Sequence, residues 1–415
     1  MTSDNKPTSA RVLVVDAVRG AAVLCMMQWH CADAWIGGTL RDGQAFGITR
    51  IIGGLAAPLF LLLAGVSAAL VFRPERVGAG FRRGAGIVVG GYAFKLFAWT
   101  VDYGAIVERR NWLAILLDAV TLAAAWRLTS EKPTPKQRGA LAVVVIVAFV
   151  ATAFALTGAT RTPSLLVRLD VLQGIGAALI LVNAVLWVVS RSRNAPIVLV
   201  LLAVAVALST PSFIGADLSF LPTRLGDYLA RTTGDPALSG ARFPLFPWLG
   251  YTLLGAAIGS AVKRRPLANA WDVPFAPSAG FALLAAIIAA LFVFEPTQTA
   301  QWLLARTEHV RNLLRLIWNM SVAVGLAVVS SLMLSRLAWV ERAMLSLGRH
   351  SLIIYVVHLE IAFGLPCSPI RETLDFAGWA VGLWLLLASM IALAFWLDRR
   401  EARAKAEHAA ARSAA

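Results

Sequence analysis

The stretch VVDAVRGAAVLCMMQWHCADAW, residues 14–35, decides the fold. It is apolar through most of its length, holds no proline, and is long enough to cross the hydrocarbon core of a bilayer as a helix. It also carries four ionisable side chains: Asp16, Arg19, His30 and Asp33. Such groups are expensive inside a membrane and face a bundle interior or a wet cavity. A helix of this kind needs neighbours that cover its polar stripe.

The rest of the chain supplies them. Of its 415 residues 59% are apolar and only 15% charged, with a mean hydropathy of +0.72. A soluble domain carries about 25% charged residues, so a water-soluble fold would lack the charge to cover its surface. Apolar runs place membrane spans near 12–35, 46–72, 84–102, 111–128, 139–158, 168–190, 196–214, 244–262, 276–294, 312–335, 349–366 and 376–398. The fourth holds Asp118 between Arg109, Arg110 and Arg127 and is the weakest. The expectation is an all-α, polytopic helical bundle of 10 to 12 spans, with the lipid bilayer as its first partner.

The formal net charge of +15 would suit nucleic acid, but the basic residues sit in short clusters between apolar runs. They read as topology determinants, and nucleic acid is not expected as a partner. Arg73, Arg76, Arg82 and Arg83 share one loop; Lys132, Lys136 and Arg138, then Arg191 and Arg193, then Lys263, Arg264 and Arg265 continue the alternation. The positive-inside rule puts these clusters and both termini in the cytoplasm. The organisation expected is a cytoplasmic segment 1–10, one transmembrane domain over 11–398 with an outer loop at 215–243, and a solvated tail 399–415. The N-terminus lacks a small-residue cleavage site and is not read as a removable signal. Cys25, Cys31 and Cys367 suggest neither a disulfide framework nor a metal site.

On a helix, positions 19 and 30 differ by about 20° around the axis and lie about 16 Å apart along it. Asp16 and Asp33 fall within about 60° of Arg19. Asp16 is spaced to pair with Arg19, and Asp33 to orient the His30 imidazole. One reading is a general base at His30, its tautomer held by Asp33, with Arg19 binding an anion; a histidine suits proton abstraction from a hydroxyl or amine. The other reading is a structural polar network between helices.

A second cluster lies in SLGRHSLIIYVVH, residues 346–358, where Ser351, Tyr355 and His358 share one helix face. They either line a polar cavity or hydrogen-bond between helices. Arg349 and His350 are expected at the cytoplasmic boundary. Lys95 lies mid-span and needs an acid, with Asp118 as a candidate. Gln173 sits in RLDVLQGIG beside Gly174 and Gly176, where helices can approach closely. RFPLFPWLGYTLLG (242–255) reads as a helix start with Trp248 as an interfacial anchor.

These segments together resemble the transmembrane acyltransferase superfamily, which includes the acyltransferase-3 proteins and the heparan-α-glucosaminide N-acetyltransferase-like proteins. The mark is an arginine, ten residues, then a histidine; Arg19 and His30 match it. APLFLLLAGVSAAL (57–70) resembles the following helix of that group. VLQGIG, FPLFPWLGY and LGRHSLIIYVVH look like the heparan branch. The resemblance implies transfer of an acyl group, acetyl or another, from cytoplasmic acyl-CoA to a sugar or other cell-envelope glycan, in a bacterial inner membrane and without a metal. It implies His30 as base, and Arg19 as the residue that holds the donor or positions His30. Asp33 joins His30 as a supporting catalytic residue, and Asp16, Gln173, Ser351, Tyr355 and His358 join Arg19 as candidate donor-binding residues. The chain departs from the eukaryotic heparan enzyme, which places its catalytic histidine in the loop after this helix; the corresponding region near Arg41 has none. A proton-coupled transporter using His30, Asp33 and Lys95 is the competing expectation, weakened by the lack of an internal repeat. A homodimer is compatible with either.

Overall fold

The computed structural model of the chain describes residues 12–106, 170–213, 243–264, 308–333 and 336–413, with Gly226 and Leu229. The expected spans at 111–128, 139–158 and 276–294, most of the outer loop 215–243, and Asp118 lie outside them. The described residues form helices α1 (Leu13–Trp35), α2 (Gln44–Gly54), α3 (Ala56–Val71), α4 (Val77–Ile106), α5 (Val171–Val189) and α6 (Ala195–Phe213). They continue with α7 (Leu245–Arg264), α8 (Glu308–Met333), α9 (Ala338–Arg349), α10 (Ser351–Phe363) and α11 (Phe376–Ser413). Among the described residues, six helical stretches, α2 with α3, α5, α6, α7, Arg311–Leu332 and Phe376–Ala411, are long and apolar enough to cross a membrane. The protein is an all-α polytopic bundle. Its outside is apolar, with Trp384, Val188 and Ile51 standing outward, as befits a surface facing lipid tails.

The expected span 46–72 is two helices joined at Leu55. Pro58 supplies the reason. It has no N–H to donate to the carbonyl of Gly54 four residues back, so α2 stops there and Pro58 falls in the first turn of α3.

The polar helix α1 is the hub. It packs against α2, α3, α8, α9, α10 and α11. Its contact with α9 is backbone to backbone: a Cβ on Gly20 would lie 2.3 Å from the Met344 carbonyl oxygen, and one on Gly348 would lie 1.9 Å from that of Asp16. On the other side of α3, Gly255 and Gly259 of α7 meet the carbonyls of Leu62 and Val66 as closely. Small residues four apart let helices approach in this way where lipid offers no hydrophobic drive to association.

The far end of α1 is stitched to the segment before α11. Glu372 N–H donates to the Ala34 carbonyl, Leu374 N–H to Trp35, and Gly37 N–H to Leu374. Trp35 Nε1 donates to the Ala362 carbonyl at 3.0 Å. Glu372 adopts φ 56°, the left-handed region that a non-glycine residue rarely enters.

Candidate active site

The four polar residues of α1 separate into two places. Near the start of the helix Asp16, 5% exposed, accepts from Arg19 Nη1 at 2.9 Å. Arg19 Nη2 reaches across to Ser67 Oγ of α3 at 2.8 Å. The predicted i, i+3 ion pair therefore forms, and it fixes the guanidinium against a neighbouring helix. Toward the other end, His30 Nδ1 lies 2.8 Å from His358 Nε2 of α10. The two imidazoles are nearly parallel, with centroids 5.1 Å apart.

The second hydrogen bond of His358 fixes the proton positions along this chain. His358 Nδ1 lies 2.7 Å from the Ile354 carbonyl oxygen. A carbonyl only accepts, so His358 Nδ1 carries its proton. In the neutral ring His358 Nε2 is then an acceptor, and His30 Nδ1 must be the donor to it. Neutral His30 consequently keeps its lone pair on Nε2. The observed partner at Nδ1 is His358, where spacing on α1 had suggested Asp33; the Asp33 backbone carbonyl accepts from Arg41 Nη2 at 2.6 Å. Asp33 could not have pointed to His358, but another signal was present. His30 lies five residues before the end of α1 at Trp35, and His358 five before the end of α10 at Phe363. The chain has only five histidines, and these two sit at matching depths.

A cavity of about 740 Å³ runs along this face of α1. Both Arg19 and His30 line it, as do Ser351 and Tyr355. Of the second cluster, His358 is fully buried behind His30 and is not part of the wall. Asp16 also lies behind the wall, acting on Arg19. Arg83 of α4 and Arg349 at the end of α9 join Arg19 in lining the cavity, with Arg50 of α2 elsewhere on its wall. Arg82 does not. Trp248 and Phe243 also form wall. A cavity of this size lies within the range of ligand sites, about 300–1,000 Å³.

Three further residues are placed by their surroundings. Lys95 lies 3.7 Å from Asp170, the N-cap of α5. Gln173 does not line the large cavity; it is buried in the wall of a smaller one nearby. His350, expected at the boundary, is buried at the joint between α9 and α10. Its Nε2 lies 2.9 Å from Asp398 Oδ1. Asp398 also accepts from Ser346 Oγ at 2.5 Å and from Arg349 Nη2 at 3.1 Å. Asp398 looked like an ordinary charge at the end of a span; its carboxylate binds three residues of the facing segment.

The Acyl_transf_3 family model, described as an acyltransferase domain, matches residues 12–399. The chain belongs to the acyltransferase-3 family. That match covers all the helices described above apart from the end of α11, and it makes this protein a membrane acyltransferase. No curated protein matches the chain. The cavity carries arginines and a histidine with a defined lone pair on one continuous wall.

Proposed function

We propose that this acyltransferase takes an acyl group, acetyl or a close homologue, from cytoplasmic acyl-CoA and passes it to a hydroxyl or amine of a sugar or cell-envelope glycan. The observation that carries the reading is the cavity joining Arg19 to His30. Anionic donors are held by guanidinium groups, and Arg19, Arg83 and Arg349 supply three. The acyl end of such a donor must then reach His30, about 16 Å further along α1.

In the reaction proposed, His30 Nε2 takes the proton of the acceptor hydroxyl or amine as its oxygen or nitrogen attacks the thioester carbonyl. The tetrahedral adduct collapses, the carbon–sulfur bond breaks, and the imidazolium returns the proton to the leaving thiolate. His358 receives the His30 Nδ1 hydrogen bond throughout, so the imidazolium form gains a charge-assisted bond without rearrangement. Ser351 and Tyr355 border the path of the donor arm. Arg19, locked by Asp16 and Ser67, binds the donor. The reading places the enzyme in the bacterial inner membrane with both termini cytoplasmic, on the strength of the basic clusters. The resemblance to the heparan branch supports a sugar acceptor. Membership of an acyltransferase family leaves the transporter reading without support.

The test is transfer of label from radiolabelled acetyl-CoA by purified protein in nanodiscs. Wild type is expected to release CoA and label an envelope glycan extract. His30→Ala retaining full activity would remove His30 from the mechanism.

A further inference from the structure

The mechanism above uses the large cavity from its donor end and leaves one of its arginines, Arg50, without a role. Two contacts place that residue. Gln28 Nε2 donates to the Thr49 carbonyl at 3.3 Å, and a Cβ on Gly53 would lie 2.2 Å from the Trp29 Cβ. Residues 49–53 of α2 therefore stand beside residues 28 and 29 of α1, at the His30 end of the cavity. Ser67, the partner of Arg19, marks the donor end, about 25 Å away along α2 and α3. Thr49 and Gly53 face α1. Arg50 and Gly54 each follow by one residue, about 100° round the helix, and line the cavity instead.

The charge balance of the wall singles Arg50 out. Besides His30, the ionisable groups named on it are Arg19, Arg50, Arg83, Arg349, Asp170 and Tyr355. Arg19 is matched by Asp16 and Arg349 by Asp398. The one carboxylate on the wall, Asp170, is matched by Lys95. Arg50 and Arg83 are left with no acid in salt-bridge reach among the described residues. Arg83, near the start of α4, serves the donor end. Arg50 lies within a stretch long and apolar enough to cross the membrane, where an unmatched guanidinium is costly and marks a binding role. Aromatic surface accompanies it. Trp29, Phe243 and Trp248 line the same cavity, the last two with ring centroids 4.9 Å apart.

We propose that the His30 end of the large cavity is the acceptor subsite, and that Arg50 selects a sugar carrying an anionic group, a carboxylate or a phosphate. A guanidinium holds either group through paired N–H donors, and the aromatic wall takes the apolar face of the sugar ring. The assignment rests on the proposed acyl transfer and names its acceptor class. Arg50 and His30 line one cavity, so a sugar held by its anion can present a hydroxyl or amine to the base from the end opposite the donor. Gly54 sets the width of the subsite: it lines the cavity, and a Cβ there would meet nothing within 4 Å.

The test is saturation-transfer NMR on the full chain in nanodiscs with methyl glucuronoside, glucose 6-phosphate and the neutral methyl glucoside as probes. Wild type is expected to bind at least one anionic sugar at least tenfold more tightly than the glucoside, and which one it prefers separates the carboxylate from the phosphate. Arg50→Gln is expected to abolish the preference while glucoside binding stays near wild type. Arg83→Gln is expected to keep the preference, which separates the subsite from the donor end. Gly54→Leu projects into open space and keeps the fold; it should weaken all three probes at least tenfold. No anionic preference in wild type, a preference that survives Arg50→Gln, or one that Arg83→Gln erases overturns the subsite. CoA release from acetyl-CoA is followed on the same samples. Release without an anionic preference leaves the acyltransferase reading standing and the subsite fallen; an Arg50-dependent preference without release does the reverse.

Discussion

Two histidines belong to α10, one at its N-cap and one within it, and they are wired differently. His350, at its start, faces Asp398 and the Arg349 guanidinium in a cluster of charged partners. His358, two turns on, has only neutral partners in the contacts described: the Ile354 carbonyl and the His30 ring. At His350 a carboxylate oxygen takes one ring nitrogen and ties the ring to α11. An imidazole whose two nitrogens are committed to a carbonyl and a second imidazole is held in one neutral tautomer. The difference teaches that residue type and depth do not set the role of a buried histidine. The partners at its two nitrogens do. On this view the first site is a structural clamp between α9, α10 and α11, and the second prepares His30 for chemistry.

The comparison yields expectations that span a wide range of effect. The largest falls on the group that His358 serves. His30→Ala should lower kcat by about 10²–10⁴-fold, the usual worth of a general acid–base, while acetyl-CoA binding measured by equilibrium dialysis stays near wild type. His358→Leu comes next. It removes the acceptor for His30 Nδ1–H and leaves a buried donor unsatisfied, at about 1–3 kcal/mol. That predicts kcat down by about 10–10²-fold with the donor KM little changed; an equal loss in His350→Asn would break the contrast between the two sites. Gly348→Val pushes a side chain into the Asp16 carbonyl, so the expected result is overpacking of about 1–3 kcal/mol, read as a lower melting temperature in nanodiscs. The smallest effect belongs to the clamp. Asp398→Asn should cost about 1–2 kcal/mol of stability through weakened charge-assisted bonds and raise the donor KM through Arg349, with kcat near the wild-type value. A kcat defect there as deep as that of His358→Leu would make the clamp part of the chemistry.

Much of this was legible in the residues. The all-α membrane fold followed from apolar runs, and the Asp16–Arg19 pair from a spacing of three. Arg19 and His30 on one face followed from helical geometry, and they do share a cavity. Partners from distant helices were less accessible. Helical periodicity orders residues within one segment and says nothing about which segment faces it, so His358 behind His30 and Asp398 beneath His350 stayed hidden. Lys95 is a clear case: its need for an acid was legible, but the structure shows Asp170 beside it, a residue that reads locally as a helix cap. Gln173 was noticed for its glycine neighbours, and its place in a capping box with Asp170 became visible only in the structure. The break at Leu55 had a local cause in Pro58, masked by the unbroken apolar character of the run around it.

The two attachments of α1 have a mechanical consequence. One end is held by interlocked glycines, Gly20 and Gly348, whose lack of a side chain lets backbones touch. The other is sewn to residues 372–374 through main-chain hydrogen bonds that hold Glu372 in the left-handed region. A rod fixed at both ends can neither slide nor turn without undoing one of them. The distance between Arg19 and His30 is then a property of the scaffold, and α1 works as a caliper with its jaws already set.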